Sequence, residues 1–258
     1  MTRIDRHTRR LYQEDPFLCQ AETRIVRVGA DHIELDATCA YPEGGGQESD
    51  VGVLALDNGS RLRFVSAQRM YGHPCGLPDF PDILVGGVIW HTILPEDRPG
   101  LLEARQGMGA RVIIDVARRA RLTVSHTASH LLYLGIERHR PDAIGRTLGC
   151  HIREDGARFD FAVEERFTPE EIAAIASTAN ELVTRDLAVT TDADTAMKDA
   201  RRWHCASHVI PCGGTHWDHT GAVGPMEVRR KRLGTGKERL SCHLSDMQID
   251  LGRYHPQP

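Results

Sequence analysis

Apolar and polar residues alternate in short runs through the first part of the chain, with the period of two that is typical of β-strands. The runs are residues 24–28, 32–35, 51–56, 61–65, 83–85 and 88–90. Between the third and fourth runs lies Asp57-Asn-Gly-Ser60, and an Asn-Gly pair in this position is a strong hairpin signal. Many short strands separated by turns predict a closed or partly closed β-barrel.

A segment rich in proline and glycine ends this pattern. Residues 95–109 contain two prolines and three glycines, which is typical of a connection rather than of a regular element. We therefore predict a first domain over residues 1–95, a linker over 96–109 and a second domain over 110–258.

The second region combines helical and strand patterns. Residues 118–138 lack proline, contain one glycine and carry enough leucine for a largely buried helix. Thr168-Pro-Glu-Glu171 supplies a hydroxyl N-cap, a proline in the first turn and a glutamate at the capping-box position. That helix is predicted to continue to about Arg185, and the alternation over residues 158–161 predicts a strand. The region is thus expected to mix α and β structure.

Composition is that of a globular protein, with 40% hydrophobic and 26% charged residues. No apolar run approaches the roughly 20 residues that span a bilayer, so no membrane association is expected. Residues 1–10 are polar and lack an apolar core, so we expect no signal peptide. Seven cysteines without regular spacing argue against a disulfide framework and favour a reducing compartment, which predicts a cytoplasmic protein.

Basic residues are clustered although the net charge is −4. The clusters are Arg118, Arg119 and Arg121, and then Arg229, Arg230, Lys231, Arg232, Lys237 and Arg239. The overall charge excludes a general polyanion binder, but basic clusters near potential metal ligands favour an anionic substrate. An ordinary solvated face explains the same pattern.

Two short segments contain residues suited to binding a metal ion. His126 and His130 are four residues apart, so on a helix both imidazoles project from one face. Cys212 and His216 are also four apart, and two intervening glycines allow a loop that turns both onto one point. Three imidazoles and a thiolate suit zinc better than calcium or magnesium. The alternatives are a packed histidine pair and an inert buried cysteine.

These motifs, in this order, resemble the alanyl-tRNA editing family, which comprises freestanding AlaX proteins and the editing domain of alanyl-tRNA synthetase. The matching segments are Tyr41-Pro-Glu-Gly-Gly-Gly-Gln47, Asp50-Val-Gly52, Arg118-Arg119, His126-Thr-Ala-Ser-His130, Arg158-Phe-Asp-Phe161, Pro211-Cys-Gly-Gly-Thr-His216, Thr220-Gly221 and Gly234-Thr-Gly-Lys-Glu-Arg239. They cover nearly the whole chain. The chain departs from the family at Cys150, where serine is usual, and at Trp217, where valine is common.

The resemblance implies an α+β fold, with a small N-terminal β-barrel-like domain and an α/β editing domain built on a central antiparallel sheet. It implies one zinc ion per chain, held at the positions of His126, His130, Cys212 and His216. It further implies hydrolysis of a wrong amino acid, serine or in some members glycine, from mischarged tRNA(Ala). No signature for ATP-dependent activation is visible, so the expected reaction is editing in trans without ATP.

The resemblance also assigns roles to other residues. Family members use a threonine hydroxyl to sense serine, and Thr147 is the first candidate for this catalytic-site role, with Thr127 as the alternative. Gly44, Gly45, Gly46 and Gln47 are candidates for close contact with the aminoacyl end, although a barrel turn explains the glycines equally well. The candidates for phosphate contacts are Arg118, Arg119, Lys237 and Arg239.

Two other functions stay open. One is a zinc hydrolase or editing domain acting on another aminoacyl-tRNA, such as Ser-tRNA(Thr). The other is a non-catalytic RNA-binding module with a structural zinc ion, since four protein ligands close a zinc site. A second possible ligand group, His204, Cys205 and His208, is interpreted as the flanking residues of a strand.

Overall fold

The structure is a computed structural model that describes residues 6–81 and 83–257. Residues 1–5, where the predicted first domain and the polar N-terminal segment begin, lie outside the described residues, as does residue 258 at the end of the predicted second domain. Within the described part, none of the helices has the length and hydropathy required to cross a membrane.

The first part of the chain is rich in strands, as its alternation predicts. Its elements are β1 (Arg9–Arg10), α1 (Leu11–Glu14), β2 (Leu18–Val28), β3 (His32–Leu35), β4 (Ala37–Thr38), β5 (Gly52–Leu56), β6 (Arg61–Met70), β7 (His73–Pro74), β8 (Leu84–Val85), β9 (Val88–Ile93), a 3₁₀ segment (Pro95–Leu102) and β10 (Gly109–Ile114). The predicted hairpin joins β5 to β6, and Gly59 in its turn has a positive φ of 90°. The alternation of the sequence thus predicts these strands correctly.

Six of these strands close into an antiparallel barrel. The order is β10-β5-β6-β9-β3-β2, and β10 pairs with both β5 and β2, which joins the two edges. Alternate residues point inward, so Leu54, Phe64, Ile89 and Val112 are buried in the barrel core. Closure leaves no unpaired edge between these strands.

The closing strand, β10, lies across one of the predicted boundaries. The sequence places a linker at 96–109 and the next domain from 110, whereas β10 completes the barrel and part of the intervening segment is a 3₁₀ helix. Both partner strands of β10 lie far away in the sequence, so the composition around β10 does not predict this pairing. The division of the chain into domains stays a prediction.

The second part combines helices with two further sheets. Its elements are α2 (Val116–His139), α3 (Pro141–Ile144), β11 (Thr147–Arg153), β12 (Gly156–Ala162), α4 (Pro169–Thr184), β13 (Val189–Ala193), β14 (Arg201–Cys205), β15 (His208–Pro211), a 3₁₀ segment (Thr220–Val223), β16 (Met226–Gly234), β17 (Lys237–Leu244), a 3₁₀ segment (Leu251–Arg253) and β18 (His255–Pro256). An antiparallel sheet has the order β11-β12-β17-β16, and a smaller one the order β13-β14-β15. The chain is therefore a mixed α+β protein with a six-stranded antiparallel barrel.

Helix α2 is the element on which the site depends. Asp115 caps it by accepting a hydrogen bond from the backbone N–H of Arg118, and the helix packs against α4 and the four-stranded sheet. Gly135 makes the contact with α4 close, because a Cβ there would lie 2.8 Å from the carbonyl oxygen of Ile175. Helix α4 has the predicted capping box at Thr168. Helix α2 is thus enclosed on several sides.

Candidate metal centre and adjoining cavity

The four predicted ligands lie together. The ligand atoms of His126, His130, Cys212 and His216 are all within 4.8 Å of one another, and all four residues are buried. The sulfur of Cys212 is 3.4 Å from Nε2 of His126 and 3.2 Å from Nε2 of His216. This arrangement could hold a metal ion.

Two elements bring these ligands to one point. His126 and His130 share one face of α2 because they are four residues apart. Cys212 follows β15, and its backbone N–H donates to the carbonyl oxygen of Arg201 at 2.8 Å, which fixes where the loop begins. The loop then turns over Gly213 and Gly214 and presents His216 to the same point.

Burial determines the charge of this cluster. It lowers the pKa of His130 to about 3 and the pKa values of His126 and His216 well below their ordinary range. It also raises the pKa of Cys212 to about 11. At neutral pH the protein alone therefore offers three neutral imidazoles, which is the form that binds metals, and a thiol that loses its proton to a bound metal.

The chemistry of this donor set fits the zinc ion that the resemblance implies. Neutral imidazole nitrogens and one thiolate are ligands that zinc prefers, whereas calcium and magnesium require oxygen. Among the described residues, Nδ1 of His130 and Nδ1 of His216 are buried without a hydrogen-bond partner. A bound divalent cation would compensate for burying the ligand nitrogens and the sulfur together, while Nδ1 of His216 lies on the ring edge opposite the nitrogen that faces the cysteine.

Gln47 fixes the orientation of His126 through the ring nitrogen that does not face the cluster. Its Oε1 is 2.6 Å from Nδ1 of His126, so that nitrogen carries the proton and Nε2 is free to face the sulfur of Cys212. The Nε2 of Gln47 donates to the hydroxyl of Thr215 at 3.1 Å, and that hydroxyl is 2.9 Å from the hydroxyl of Thr123. Gln47, which the resemblance assigns to substrate contact, is fully buried in this network.

Thr123 and Thr215 also belong to the site, although neither is among its predicted residues. Their positions carry a signal: Thr215 lies between Cys212 and His216 in the ligand loop, and Thr123 precedes His126 by three residues, which is almost one helical turn. A polar side chain on the ligand face of a buried helix requires a partner, and the two threonines supply each other.

Gly214 offers a direct test of the centre. A Cβ at this residue would lie 2.1 Å from Cε1 of His126, whereas a Cβ at Gly213 would meet Nε2 of Gln13 at 3.7 Å, an ordinary contact distance. We expect Gly214→Ala to displace the imidazole and weaken zinc binding by about 10-fold or more, the scale for disturbing a ligand's orientation.

Competition with a chromogenic chelator measures this affinity, and Gly213→Ala is the matched control. Equal zinc affinity of the two alanine variants would show that the contact between residue 214 and His126 does not constrain the centre.

A cavity of about 400 Å³ adjoins the cluster. His126, His130 and Cys212 form part of its wall, and Gly44 and Gly45 of the glycine-rich segment form another part. The remaining wall residues include Tyr41, Ser129, Tyr133, Cys150, Ile152 and Phe159. The potential metal ligands therefore face a space that is large enough for a small organic group.

The glycine-rich segment packs tightly against the second part of the chain. Gly46 has a positive φ of 84°, and a Cβ there would lie 2.9 Å from the carbonyl oxygen of Cys150. Burial raises the pKa of the Cys150 thiol to about 12, so this side chain is neutral on the cavity wall. The departure from serine at this position therefore replaces a hydroxyl with a neutral thiol.

The two candidate threonines are not on the cavity wall. Thr147 is exposed at the start of β11, and its hydroxyl donates to the carbonyl oxygen of Ile144 at 2.9 Å. Thr127 is buried in α2, where its hydroxyl donates to the carbonyl oxygen of Thr123 and accepts from the backbone N–H of Trp217 at 3.0 Å. Their predicted role in sensing serine stays a prediction.

The candidate phosphate-binding residues differ in exposure. Lys237 is exposed at the tip of the hairpin formed by β16 and β17, and the Nε of Arg239 is 2.6 Å from a carboxylate oxygen of Asp160. Arg118 is partly buried between Glu48 and Glu154. Arg119 is completely buried.

The expectation for Arg119 therefore needs correction. Its guanidinium is paired with the buried carboxylate of Asp50 and donates to the carbonyl oxygens of Pro16 and Cys39. A group enclosed in this way does not meet a phosphate at the surface of the folded protein, and its contacts instead join α2 to the barrel.

The second possible ligand group lies on strands, as interpreted from the sequence. His204 and Cys205 belong to β14 and His208 to β15. Nε2 of His204 contacts the carboxylate of Asp192 on the neighbouring strand. Over residues 6–81 and 83–257, one group of histidine, cysteine or acidic side chains is close enough together to hold a metal ion, and it consists of His126, His130, Cys212 and His216.

Known proteins provide a second line of information. The chain is 34% identical to the alanine–tRNA ligase of Pyrococcus abyssi over 260 residues, which cover 90% of this chain and 25% of the ligase. It is also 31% identical to the alanine–tRNA ligase of Thermococcus kodakarensis, over 94% of this chain and 26% of the ligase. The identity to the alanine–tRNA ligase of Pyrococcus furiosus is 31%, over 90% of this chain and 25% of the ligase. No protein-family profile matches the chain. The chain spans about a quarter of the length of these curated relatives.

The class of protein follows from the fold, the site and the sequence similarity. The chain is an α+β protein that is related to one segment of archaeal alanine–tRNA ligases and has a potential metal centre beside a cavity. Within that class the resemblance predicted from the motifs is confirmed, and the chain is a relative of the alanine–tRNA ligases.

Proposed function

We propose that this chain hydrolyses the ester bond of mischarged tRNA(Ala), acting on Ser-tRNA(Ala) and also on Gly-tRNA(Ala), with the help of one zinc ion. The observation that supports this proposal is the buried group of three histidines and one cysteine on the wall of a cavity, in a chain similar to alanine–tRNA ligases. Relatives with that name imply a tRNA(Ala) partner, and the cluster implies metal-assisted hydrolysis.

The need for such a reaction follows from the size of alanine. A pocket built for alanine admits glycine, and an added hydroxyl discriminates serine only by about 10² or less, so a second hydrolytic check is required. The ester between an amino acid and ribose is already activated, so modest assistance suffices. When bound, zinc polarises the ester carbonyl or lowers the pKa of a water molecule.

The protein's own residues prepare the cavity for this reaction. Gln47 holds His126 in one tautomer, so the ligand nitrogen always faces the cysteine sulfur. Gly44 and Gly45 have no side chains to obstruct the cavity that they line, which leaves space for the 3′ end of a tRNA. Burial excludes water from the ligands on the side away from the cavity.

The choice between serine and alanine requires a polar partner for the serine hydroxyl. An acceptor or donor left unpaired by alanine costs about 1–3 kcal/mol, which protects correctly charged tRNA. Thr147 and Thr127 are the predicted sensors. Ser129, between the two histidine ligands in the chain and on the cavity wall, donates its hydroxyl proton to the carbonyl oxygen of His126 and offers its oxygen as a further acceptor for this task.

A panel of charged tRNAs tests the proposed function. We expect hydrolysis of Ser-tRNA(Ala) and Gly-tRNA(Ala), little hydrolysis of Ala-tRNA(Ala), and loss of activity after treatment with a chelator that is reversed by added zinc. Faster hydrolysis of Ser-tRNA(Thr) would transfer the assignment to another aminoacyl-tRNA. No turnover of any substrate by the zinc-loaded protein would refute the hydrolase.

Lys237 provides a test of the tRNA partner. Its ammonium group is exposed at a hairpin tip within the basic C-terminal cluster, and we propose that it contacts a backbone phosphate. Lys237→Ala should weaken binding uniformly across tRNA sequences and reduce the slope of log affinity against log salt by about 1.

Filter binding over a series of salt concentrations measures this slope. The control is Arg61→Ala, which removes an exposed positive charge from β6 on the barrel. An unchanged slope for the Lys237 variant would remove this residue from the proposed interface.

A further inference from the structure

The cavity has a second polar group at a distance in sequence from the metal ligands. Arg69, near the end of β6, and Gln13, in the short helix α1, both line the cavity. Among the described residues, Nε of Arg69 and Nε2 of Gln13 are fully buried and have no hydrogen-bond partner. Buried donors of this kind are expensive to leave unpaired, so an acceptor that enters the cavity would stabilise both of them.

Gln13 connects this group to the metal centre. Its Nε2 is the atom nearest to the position of a Cβ built on Gly213, the residue that follows the ligand Cys212. One terminal nitrogen of Arg69 donates a hydrogen bond to the carbonyl oxygen of Leu84, whereas its Nε has no hydrogen-bond partner among the described residues. The ligand loop and the two unpaired donors therefore belong to the same cavity.

The charges around Arg69 favour an anion. Arg10 is buried nearby and forms an ion pair with Asp199, with 2.7 Å between its Nη1 and Oδ2. Burial raises the pKa of the Tyr12 phenol, and both guanidinium groups oppose this rise, Arg69 also as a hydrogen-bonding neighbour of the phenol. Asp199 thus balances Arg10, while Arg69 forms no ion pair among the residues described. The other carboxylate on the cavity wall, Glu43, is exposed.

We infer that Arg69 and Gln13 form a subsite for the phosphodiester group that precedes the terminal nucleoside of the tRNA. This inference rests on the proposed function, because it uses the geometry of the substrate. The scissile ester is attached to the 2′ or 3′ side of the last ribose, and the phosphate is attached to its 5′ carbon. With the ester at the metal ligands, the anionic group falls on another part of the cavity, where a charged guanidinium with an unpaired Nε–H is suited to a phosphate oxygen.

The affinities of adenosine 5′-monophosphate and adenosine are compared, because the two compounds differ only in the phosphate group that the subsite is proposed to bind. The zinc-loaded protein should bind the monophosphate at least about tenfold more tightly than adenosine, the scale of a charge-assisted hydrogen bond. Arg69→Gln should abolish this difference while retaining the affinity for adenosine. Arg69→Lys should retain part of it. Arg61→Gln, on the same strand but exposed and outside the cavity, should retain all of it.

Titration calorimetry on proteins of matched thermal stability gives these affinities. Equal binding of the two compounds to the unaltered chain would overturn the subsite, and so would a preference that survives in Arg69→Gln. Inorganic phosphate competing as well as the nucleotide would overturn the nucleotide assignment. Because no turnover is needed, the two proposals fail separately: nucleotide preference without hydrolysis refutes only the proposed function, and hydrolysis without preference refutes only the subsite.

Discussion

Cys212→Ala should leave a protein that does not retain zinc at the centre and that hydrolyses mischarged tRNA at least about 100-fold more slowly. Loss of a residue that merely supports a ligand costs about 10- to 100-fold in metal affinity or activity, and loss of a ligand should exceed this. Cys212 is the only sulfur in the described cluster, and its Sγ lies within 3.4 Å of two histidine nitrogens. Its removal leaves three neutral imidazoles without a negative charge to balance the cation.

Metal analysis, thermal unfolding and deacylation kinetics on one preparation measure the effect. The matched control is Cys205→Ala, which removes another buried sulfur from the same part of the chain but not from the cluster. The control should retain one zinc ion and near-normal activity. A Cys212 variant that loses zinc and stability but keeps its activity per folded molecule would identify a structural metal and contradict metal-assisted hydrolysis.

The ligands were predictable because each pair is local. A spacing of four on a helix and a four-residue loop with two glycines place the members of a pair together, whatever the rest of the fold does. The capping box at Thr168 was predictable for the same reason, since its contacts are within three residues. Local geometry is recorded in local sequence.

The remaining features of the site depend on contacts between distant parts of the chain. Gln47 meets His126 across 79 residues, and no pattern around either residue indicates this contact. The closing strand β10 likewise takes both of its partners from earlier in the chain. The glycine-rich motif is visible in the sequence, but the hydrogen bond from its neighbour Gln47 to the ligand His126 depends on the assembled fold.

Arg118 and Arg119 illustrate the same limit at adjacent positions. Successive residues on a helix point about 100° apart, so one side chain reaches the partly exposed carboxylates of Glu48 and Glu154 while the next enters the interior. A cluster of arginines in a sequence therefore does not define one surface. The direction of each side chain is decided by the neighbours of the helix, here the barrel segment that carries Asp50.

Arg119→Met should destabilise the folded protein by about 3–5 kcal/mol, because it leaves the carboxylate of Asp50 buried without its charge partner. Both side chains are completely buried, and Nε of Arg119 donates to the two carboxylate oxygens at 3.1 and 3.0 Å. The same guanidinium satisfies the carbonyl oxygens of Pro16 and Cys39, which would also lose their donor. Methionine fills much of the volume, so the loss is electrostatic rather than a cavity.

Urea unfolding of the variant measures this difference, and Arg118→Met is the control, since a partly exposed pair contributes only about 0–1 kcal/mol. Adding Asp50→Asn to Arg119→Met should recover part of the loss, because the buried charge is then removed while the asparagine oxygen still accepts from the backbone N–H of Tyr41. A single Arg119 variant as stable as the control, with a reduced salt dependence of tRNA binding, would instead return Arg119 to the surface role that its sequence context suggests. The expected result is the reverse: a large change in the free energy of unfolding, with a salt slope unchanged in the molecules that remain folded.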